Sequence, residues 1–349
     1  MPLSLRPATC VPVPLGTLGD LLGVRPAVPG PGPDVTGVTL AGDDVRPGDL
    51  FAALPGSRRH GAEFIGQAAA AGAVAVLTDA AGAPLAAQAG LPALVVDDPR
   101  AVAGIVADRV YGAPSRDLTI IGITGTAGKT STAYLVEAGL RAGGHVTGIL
   151  GTVETRLGDL AVSSKRTTPE APELHALLAV ARERGVTALV MEVSSHALAL
   201  GRVAGVRFTV AGWTNFGMDH LDFHADSEEY FAAKASFFDG RAATEILNLD
   251  DPALTNLIKP ATVTYSALGD KSASWSAGDV SGGYDQRFTA YGPQGAAVAA
   301  GVALAGRHNV ANALLALAAL TAVGIDPQVA ADGVAASPGV PGRLERVPT

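Results

Sequence analysis

The chain has 349 residues, 48% of them hydrophobic, 17% charged and 5% aromatic, which is too long for one ordinary core and favours two or three domains. A formal net charge of −8 and a lone cysteine, Cys10, argue against a general nucleic-acid surface, an intrachain disulfide and a cysteine-built metal site. The N-terminus carries no basic region leading into an apolar stretch, and no apolar run is long enough to span a bilayer, so a cytoplasmic enzyme without membrane attachment is expected.

Residues 1–34 are rich in Pro and Gly, ending in Pro29-Gly30-Pro31-Gly32-Pro33, and read as a loosely held entry segment with one short helix near Leu18–Leu22. Strand patterns follow at Val35–Leu40 and Asp49–Leu54, then an Ala-rich helix over 61–72 and an apolar strand at Ala73–Leu77. A strand at Ala93–Val96 and a helix over 99–111 complete a small α/β unit, which Gly112-Ala113-Pro114 closes as a linker. A first domain over 1–113 and a second over 114–349 are therefore expected. The local basic pairs Arg58–Arg59 and Lys165–Arg166 read first as solvated surface and second as contacts for a phosphorylated small molecule.

From Leu118 onward strands at 118–123, 187–193, 207–213 and 245–249 alternate with helices near 129–142, 172–184 and 227–238. That alternation implies an α/β fold with a parallel, doubly wound sheet. Residues 260–305 read as short β segments and hairpins, and an Ala/Leu helix over 309–323 stops at Gly324. No internal repeat is present.

The most informative stretch is Ile120-Ile121-Gly122-Ile123-Thr124-Gly125-Thr126-Ala127-Gly128-Lys129-Thr130. An apolar strand enters a Gly-rich turn and a helix opens at the Lys-Thr, so backbone N–H groups and the helix N-terminus converge where a phosphate can sit. Lys129 is suited to the β- and γ-phosphates of ATP, and Thr130 to Mg²⁺. The stretch departs from the common phosphate-loop pattern, because Ile123 occupies the slot of its first glycine.

Glu192 closes the strand Ala188–Val193, at the sheet edge where ligands bind in open α/β folds, and its carboxylate suits a hard divalent ion. Ser194-Ser195-His196 follow as substrate contacts or as a helix cap. Thr214 to His224 gather two carboxylates and two imidazoles on one loop, where zinc is the alternative to Mg²⁺. Asp226 and Glu229 form a capping-box pattern. Lys234, among Tyr230, Phe231, Phe237 and Phe238, either snorkels to water or is buried as a neutral amine able to take up CO₂ as a carbamate.

Together these residues resemble the Mur ligase family. The resemblance is carried by Thr124–Thr130, Thr167-Thr168-Pro169-Glu170-Ala171-Pro172, Met191–Leu198, Asp219–His224, Ala233-Lys234, Gly306–Asn312 and Val340-Pro341-Gly342-Arg343-Leu344-Glu345, and runs from about residue 35 to the end. It implies a small N-terminal UDP-binding α/β domain followed by a P-loop-type central ATPase domain. It implies nucleotide contacts from Gly125, Thr126, Ala127, Gly128, Lys129, Thr130, Ser131, Asn309 and Arg343, and catalytic roles for Lys129, Glu192, His220 and Lys234. Two Mg²⁺ sites are implied, one at Thr130 and Glu192, the other at His220 and a carbamylated Lys234. Thr167, Thr168, Ser194 and Arg202 are implied to grip a UDP-N-acetylmuramoyl peptide.

The implied chemistry is ATP-dependent activation of a carboxylate as an acyl phosphate, followed by amide formation. The family's C-terminal amino-acid-binding domain is expected to be absent, the sequence being a fragment of a normal synthetase, one part of a split enzyme whose third domain is a separate polypeptide, or a shortened paralogue acting on another carboxylate. A non-catalytic nucleotide- or UDP-sugar-binding regulator is the reading from a different class. A folylpolyglutamate-type ligase shares the loop and lysine but not Thr167-Thr168-Pro169 or Ser194-Ser195-His196. Ala41-Gly42-Asp43, Phe216-Gly217-Met218 and Leu200 stand where the family carries more polar contacts.

Overall fold

A computed structural model describes residues 5–26, 30–56 and 58–340. The chain divides into two compact units, one of residues 1–117, 169–183 and 200–206, the other of 118–168, 184–199 and 207–349. A single cut near residue 113 therefore does not describe the division.

In the first unit, Gly37–Thr39, Asp49–Ala52, Ala75–Thr78 and Ala93–Val95 lie side by side, all parallel, in chain order. The helix Pro99–Val110 packs on them with Val106 and Ala107 fully buried. Asp98 caps this helix by accepting from the N–H groups of Arg100 (2.9 Å) and Ala101 (3.1 Å). The helix Ala171–Glu183 belongs to the same unit because its small faces, Ala176 and Ala179, join this core. Chain rhythm alone assigns that helix to the later sheet, since periodicity does not say which sheet a helix covers.

The entry segment is built in more firmly than its Pro and Gly content suggests. The helix there spans Leu15–Leu22, with Leu15 and Leu18 fully buried, and the ribbon Val13–Pro14 pairs with Asp34–Val35. The Arg6 guanidinium, nearly buried, donates to Asp49 Oδ1 at 2.6 Å and lies 3.4 Å from Asp44 Oδ2. Burial of two leucines and a paired arginine outweighs weak local propensity.

The second unit carries an eleven-stranded sheet. Its order is Leu160–Ser163, Glu154–Leu157, Thr147–Leu150, Ala188–Glu192, Thr119–Thr124, Phe208–Trp213, Ala242–Asn248, Val263–Ser266, Trp275–Ser281, Gln286–Tyr291 and Ala297–Val302. From Thr147–Leu150 to Trp275–Ser281 every pairing is parallel, and antiparallel hairpins extend both ends. The continuous apolar run Ile120–Ile123 fits a central strand covered on both faces. The helix His308–Ala322 is buried through most of its length, as an Ala/Leu segment apolar on all sides must be.

Thr119–Thr124 lies between Ala188–Glu192 and Phe208–Trp213, which follow it in the chain but flank it on opposite sides. The strand order reverses there, and in open α/β sheets a ligand crevice opens at the C-terminal ends of such strands. Gly125, Val193 and Thr214 follow directly from those three ends.

Candidate active site

The turn after Thr124 can be made only by glycine at two positions. Gly125 has φ +140° and a Cβ there would lie 1.9 Å from Thr214 Oγ1; Gly128 has φ +85° and a Cβ would lie 2.6 Å from Asn312 Oδ1. The outer side of the turn is braced from the neighbouring strand end. Thr126 N–H donates to Asn215 O at 2.9 Å, Ala127 N–H donates to Asn215 Oδ1 at 3.1 Å, and Thr214 Oγ1 donates to Ala127 O at 2.6 Å.

The helix Lys129–Ala142 starts at Gly128 with no side-chain cap and no acidic residue in its first turn. Its own first turn therefore sets no carboxylate against its positive dipole end, which favours an anion there. Lys129 Nζ folds over the turn, donating to Gly125 O at 2.8 Å and Thr126 O at 3.0 Å. Lys234 Nζ donates to the same Gly125 O at 2.9 Å. Two amines thus meet on one carbonyl beside a helix N-terminus.

Lys234 is 1% exposed, and burial, followed by the nearby Lys129, lowers its pKa to about 7. It does not snorkel. It comes from the helix Ser227–Ala235, capped by Asp226 Oδ1 accepting from Glu229 N–H at 2.8 Å. The expected reciprocal half of the capping box is shifted by one residue, since Glu229 Oε2 accepts from Ala225 N–H at 2.9 Å. Tyr230, one turn before Lys234, is fully buried and places its ring 4.6 Å from the amine.

On the other side, Glu192 is 1% exposed and its carboxylate accepts from Thr130 Oγ1 (3.0 Å), Thr152 N–H (2.8 Å) and Thr152 Oγ1 (3.1 Å). Thr130 and Glu192 thus offer adjoining hard oxygens at the helix N-terminus, a donor set that fits Mg²⁺. Thr168, fully buried, donates to Glu192 O at 2.8 Å and accepts from Ser194 N–H at 3.1 Å, so its hydroxyl holds the strand end. Thr167 Oγ1 lies 3.1 Å from Thr152 Oγ1. Ser194 Oγ accepts from Ala197 N–H at 3.1 Å, the cap alternative for this run.

His220 has φ +55°, and its ring lies 5.9 Å from that of Tyr230 and 5.0 Å from that of His196. Tyr230 is the shared neighbour of His220 and Lys234. Among the described residues no group of three His, Cys, Asp or Glu side chains is placed to hold a metal ion, so the zinc alternative has no ligand set there. Asn309 Oδ1 accepts from Asn312 Nδ2 at 2.9 Å, which links it to the turn through Gly128. Ser131 is partly buried in the first turn of the helix. Arg202 lies in the first unit, paired with Glu170 at 2.8 Å, and Arg343 lies outside the described residues.

Thr152, Thr214, Asn215 and Tyr230 belong to the site although sequence reasoning assigned them no role. Thr214 and Asn215 follow an apolar strand that ends at the crevice, a usable signal; Thr152 follows a strand the periodicity did not disclose.

Residues 123–320 match the Mur ligase middle domain, and residues 34–111 match the Mur ligase family, catalytic domain. A Streptomyces coelicolor UDP-N-acetylmuramoyl-L-alanyl-D-glutamate–2,6-diaminopimelate ligase is 56% identical over 347 residues, covering 98% of this chain and 68% of the relative. A solved structure of a ligase of that name superposes with a TM-score of 0.82 at 26% identity, over 98% of this chain and 69% of the other. A MurF ligase from Thermotoga maritima, solved in complex with ADP, shares the fold with a TM-score of 0.58 at 17% identity, over 89% of this chain and 68% of that one. No helix among the described residues is long and apolar enough to cross a membrane.

Proposed function

The chain belongs to the Mur ligase family, and from that premise we propose that it binds ATP at Gly125–Ser131 and activates the carboxylate of a UDP-N-acetylmuramoyl peptide. The observation that carries the reading is the meeting of Lys129 and Lys234 on Gly125 O, beside an uncapped helix start and the Thr130–Glu192 pair. An arriving triphosphate would draw Lys129 Nζ from its two backbone acceptors, exchanging neutral partners for charged oxygens.

A peptide carboxylate oxygen then attacks the γ-phosphorus while the bond to the β-phosphate oxygen breaks, giving an acyl phosphate and ADP. An incoming amine attacks the acyl carbon, loses a proton and expels phosphate, leaving an amide. Lys129 and the helix N-terminus hold charge that spreads over the transferring group, and the braced turn holds the geometry in line. We assign Thr130 and Glu192 to one Mg²⁺, and His220 with a CO₂-derived carbamate on Lys234 to a second. Mg²⁺ bound there supplies neutralisation of the phosphate oxygens. The buried amine with a pKa of about 7 supports the carbamate, since only a neutral amine adds to CO₂.

Thr167, Thr168, Ser194 and Arg202 are proposed for the peptide substrate, Thr168 through its hold on Ser194. Asn309 and Arg343 are proposed for the nucleotide. The residues in hand span 68% of the Streptomyces coelicolor relative, so amide formation is best assayed with and without the remaining portion of such a relative supplied separately. We place the reaction in the cytoplasm, where ATP and nucleotide-linked precursors are at hand. The test is ADP release dependent on UDP-N-acetylmuramoyl-L-alanyl-D-glutamate and Mg²⁺. Release is expected to be lost in Lys129→Ala, and release that ignores the muramoyl peptide contradicts the substrate assignment.

A further inference from the structure

We infer that Tyr230 is a positioning residue for the nucleotide, acting through Thr126 of the phosphate loop; this rests on the reading of that loop as an ATP site. The Tyr230 hydroxyl lies 3.1 Å from Thr126 Oγ1. Thr126 Oγ1 also accepts from Gly217 N–H at 3.0 Å and donates to Gly217 O at 3.2 Å. The Tyr230 ring lies 4.6 Å from Lys234 Nζ, whose amine reaches Gly125 O. One side chain thus bears on two consecutive residues of the turn, by hydroxyl at Thr126 and by ring face through the amine at Gly125.

The Tyr230 ring is buried, but its hydroxyl contact is not needed for the fold. If the hydroxyl is removed, Thr126 Oγ1 keeps both Gly217 partners, so no buried polar atom on the loop is orphaned, and the ring stays packed against Phe216 at 5.4 Å. What is lost is the third anchor on Thr126, the residue between the two glycine-dependent bends at Gly125 and Gly128. A loop with two such bends has unusual backbone freedom, and its shape is fixed only while both flanks are held. The ring serves the second anchor by packing 4.6 Å from the Lys234 amine, the group that donates to Gly125 O.

The test is a double-mutant cycle in the full chain, with ATP and Mg²⁺ as the titrated ligand, read by calorimetry together with thermal melting. Tyr230→Phe is expected to weaken ATP binding about three- to tenfold, the size of one lost hydrogen bond, and Thr126→Val, which also loses both Gly217 contacts, by more. Because the Tyr230 contact is already gone in Thr126→Val, the double variant is expected to bind within about twofold of Thr126→Val. Melting of Tyr230→Phe is expected to stay within about 2 °C of the parent, because Thr126 remains partnered. The inference is overturned if Tyr230→Phe binds ATP like the parent, if the two losses multiply, or if lost binding tracks a lowered melting temperature. Lys129→Ala separates the premise from the inference. Undiminished ATP binding in that variant removes the phosphate-loop reading itself, whereas its loss with Tyr230→Phe unchanged removes the role of Tyr230 alone.

Discussion

Lys234 shows how a single residue's surroundings decide its chemistry. Its folded pKa of about 7 lies below the ordinary 10.5, so between those pH values an unfolded chain holds a proton that the folded chain has released. Folding stability is therefore expected to rise with pH from about 7 to 10.5, with the cost of charging the buried amine at its full value below that window. Urea denaturation in the absence of ligand checks this, and Lys234→Met should flatten the rise; an unchanged slope would show that the amine titrates normally. Gly128→Ala makes the complementary point for backbone. A left-handed residue with a side chain costs about 1–2 kcal/mol, and its methyl would press on Asn312. Weakened ATP binding is expected together with that loss of stability, and wild-type binding would show that the turn tolerates another shape. The lysines, glycines and Glu192 were legible in the sequence because a strand–turn–helix pattern specifies their neighbours locally. The partners that aim them were not: Asn215 stands 88 residues from Ala127 and Tyr230 stands 104 from Thr126.

Elements with strong local chemistry were read well. The helix Lys129–Ala142 matches the expected 129–142, and Ala188–Glu192 and Phe208–Trp213 fall within the expected strands. The hairpin Glu154–Leu157 with Leu160–Ser163 and the helix Pro327–Ala335 were not anticipated. The hairpin's alternation is short and interrupted by the two-residue turn Gly158-Asp159, while the helix follows Gly324 so closely that the stop signal hid the restart. The hairpin matters to position: the loop into it delivers Thr152 to Glu192. Thr152→Val is expected to remove one of three side-chain or backbone anchors on that carboxylate and to raise the Mg²⁺ concentration needed for turnover about tenfold. Equal Mg²⁺ dependence in variant and parent would show that the carboxylate is held without it. At the helix Pro99–Val110, Asp98→Ala is expected to cost about 1 kcal/mol of stability in urea titrations, with no change in ATP affinity.

The molecule as a whole holds two cores, and the helix Ala171–Glu183 belongs to the first although chain rhythm sets it among the elements of the second. Residues 169–183 and 200–206 return to the first unit through packing of small side chains, which carries no local signature. A net charge of −8 likewise says nothing of the positive locus formed by Lys129 and a helix start, because charge summed over a chain does not report where it gathers. ATP bound at that locus stabilises the structure around it by mass action. Hydrogen exchange is therefore expected to slow at 119–135 and 188–236 on adding ATP and Mg²⁺, with 37–110 unaffected; protection confined to 37–110 would put the nucleotide elsewhere.

The most direct measurement is a crystal structure of the chain with a non-hydrolysable ATP analogue and Mg²⁺. The account predicts triphosphate density at the N-terminus of the helix Lys129–Ala142, with Lys129 Nζ withdrawn from Gly125 O and Thr126 O onto phosphate oxygens. An analogue bound away from that turn, with Lys129 still folded onto those two carbonyls, would contradict it.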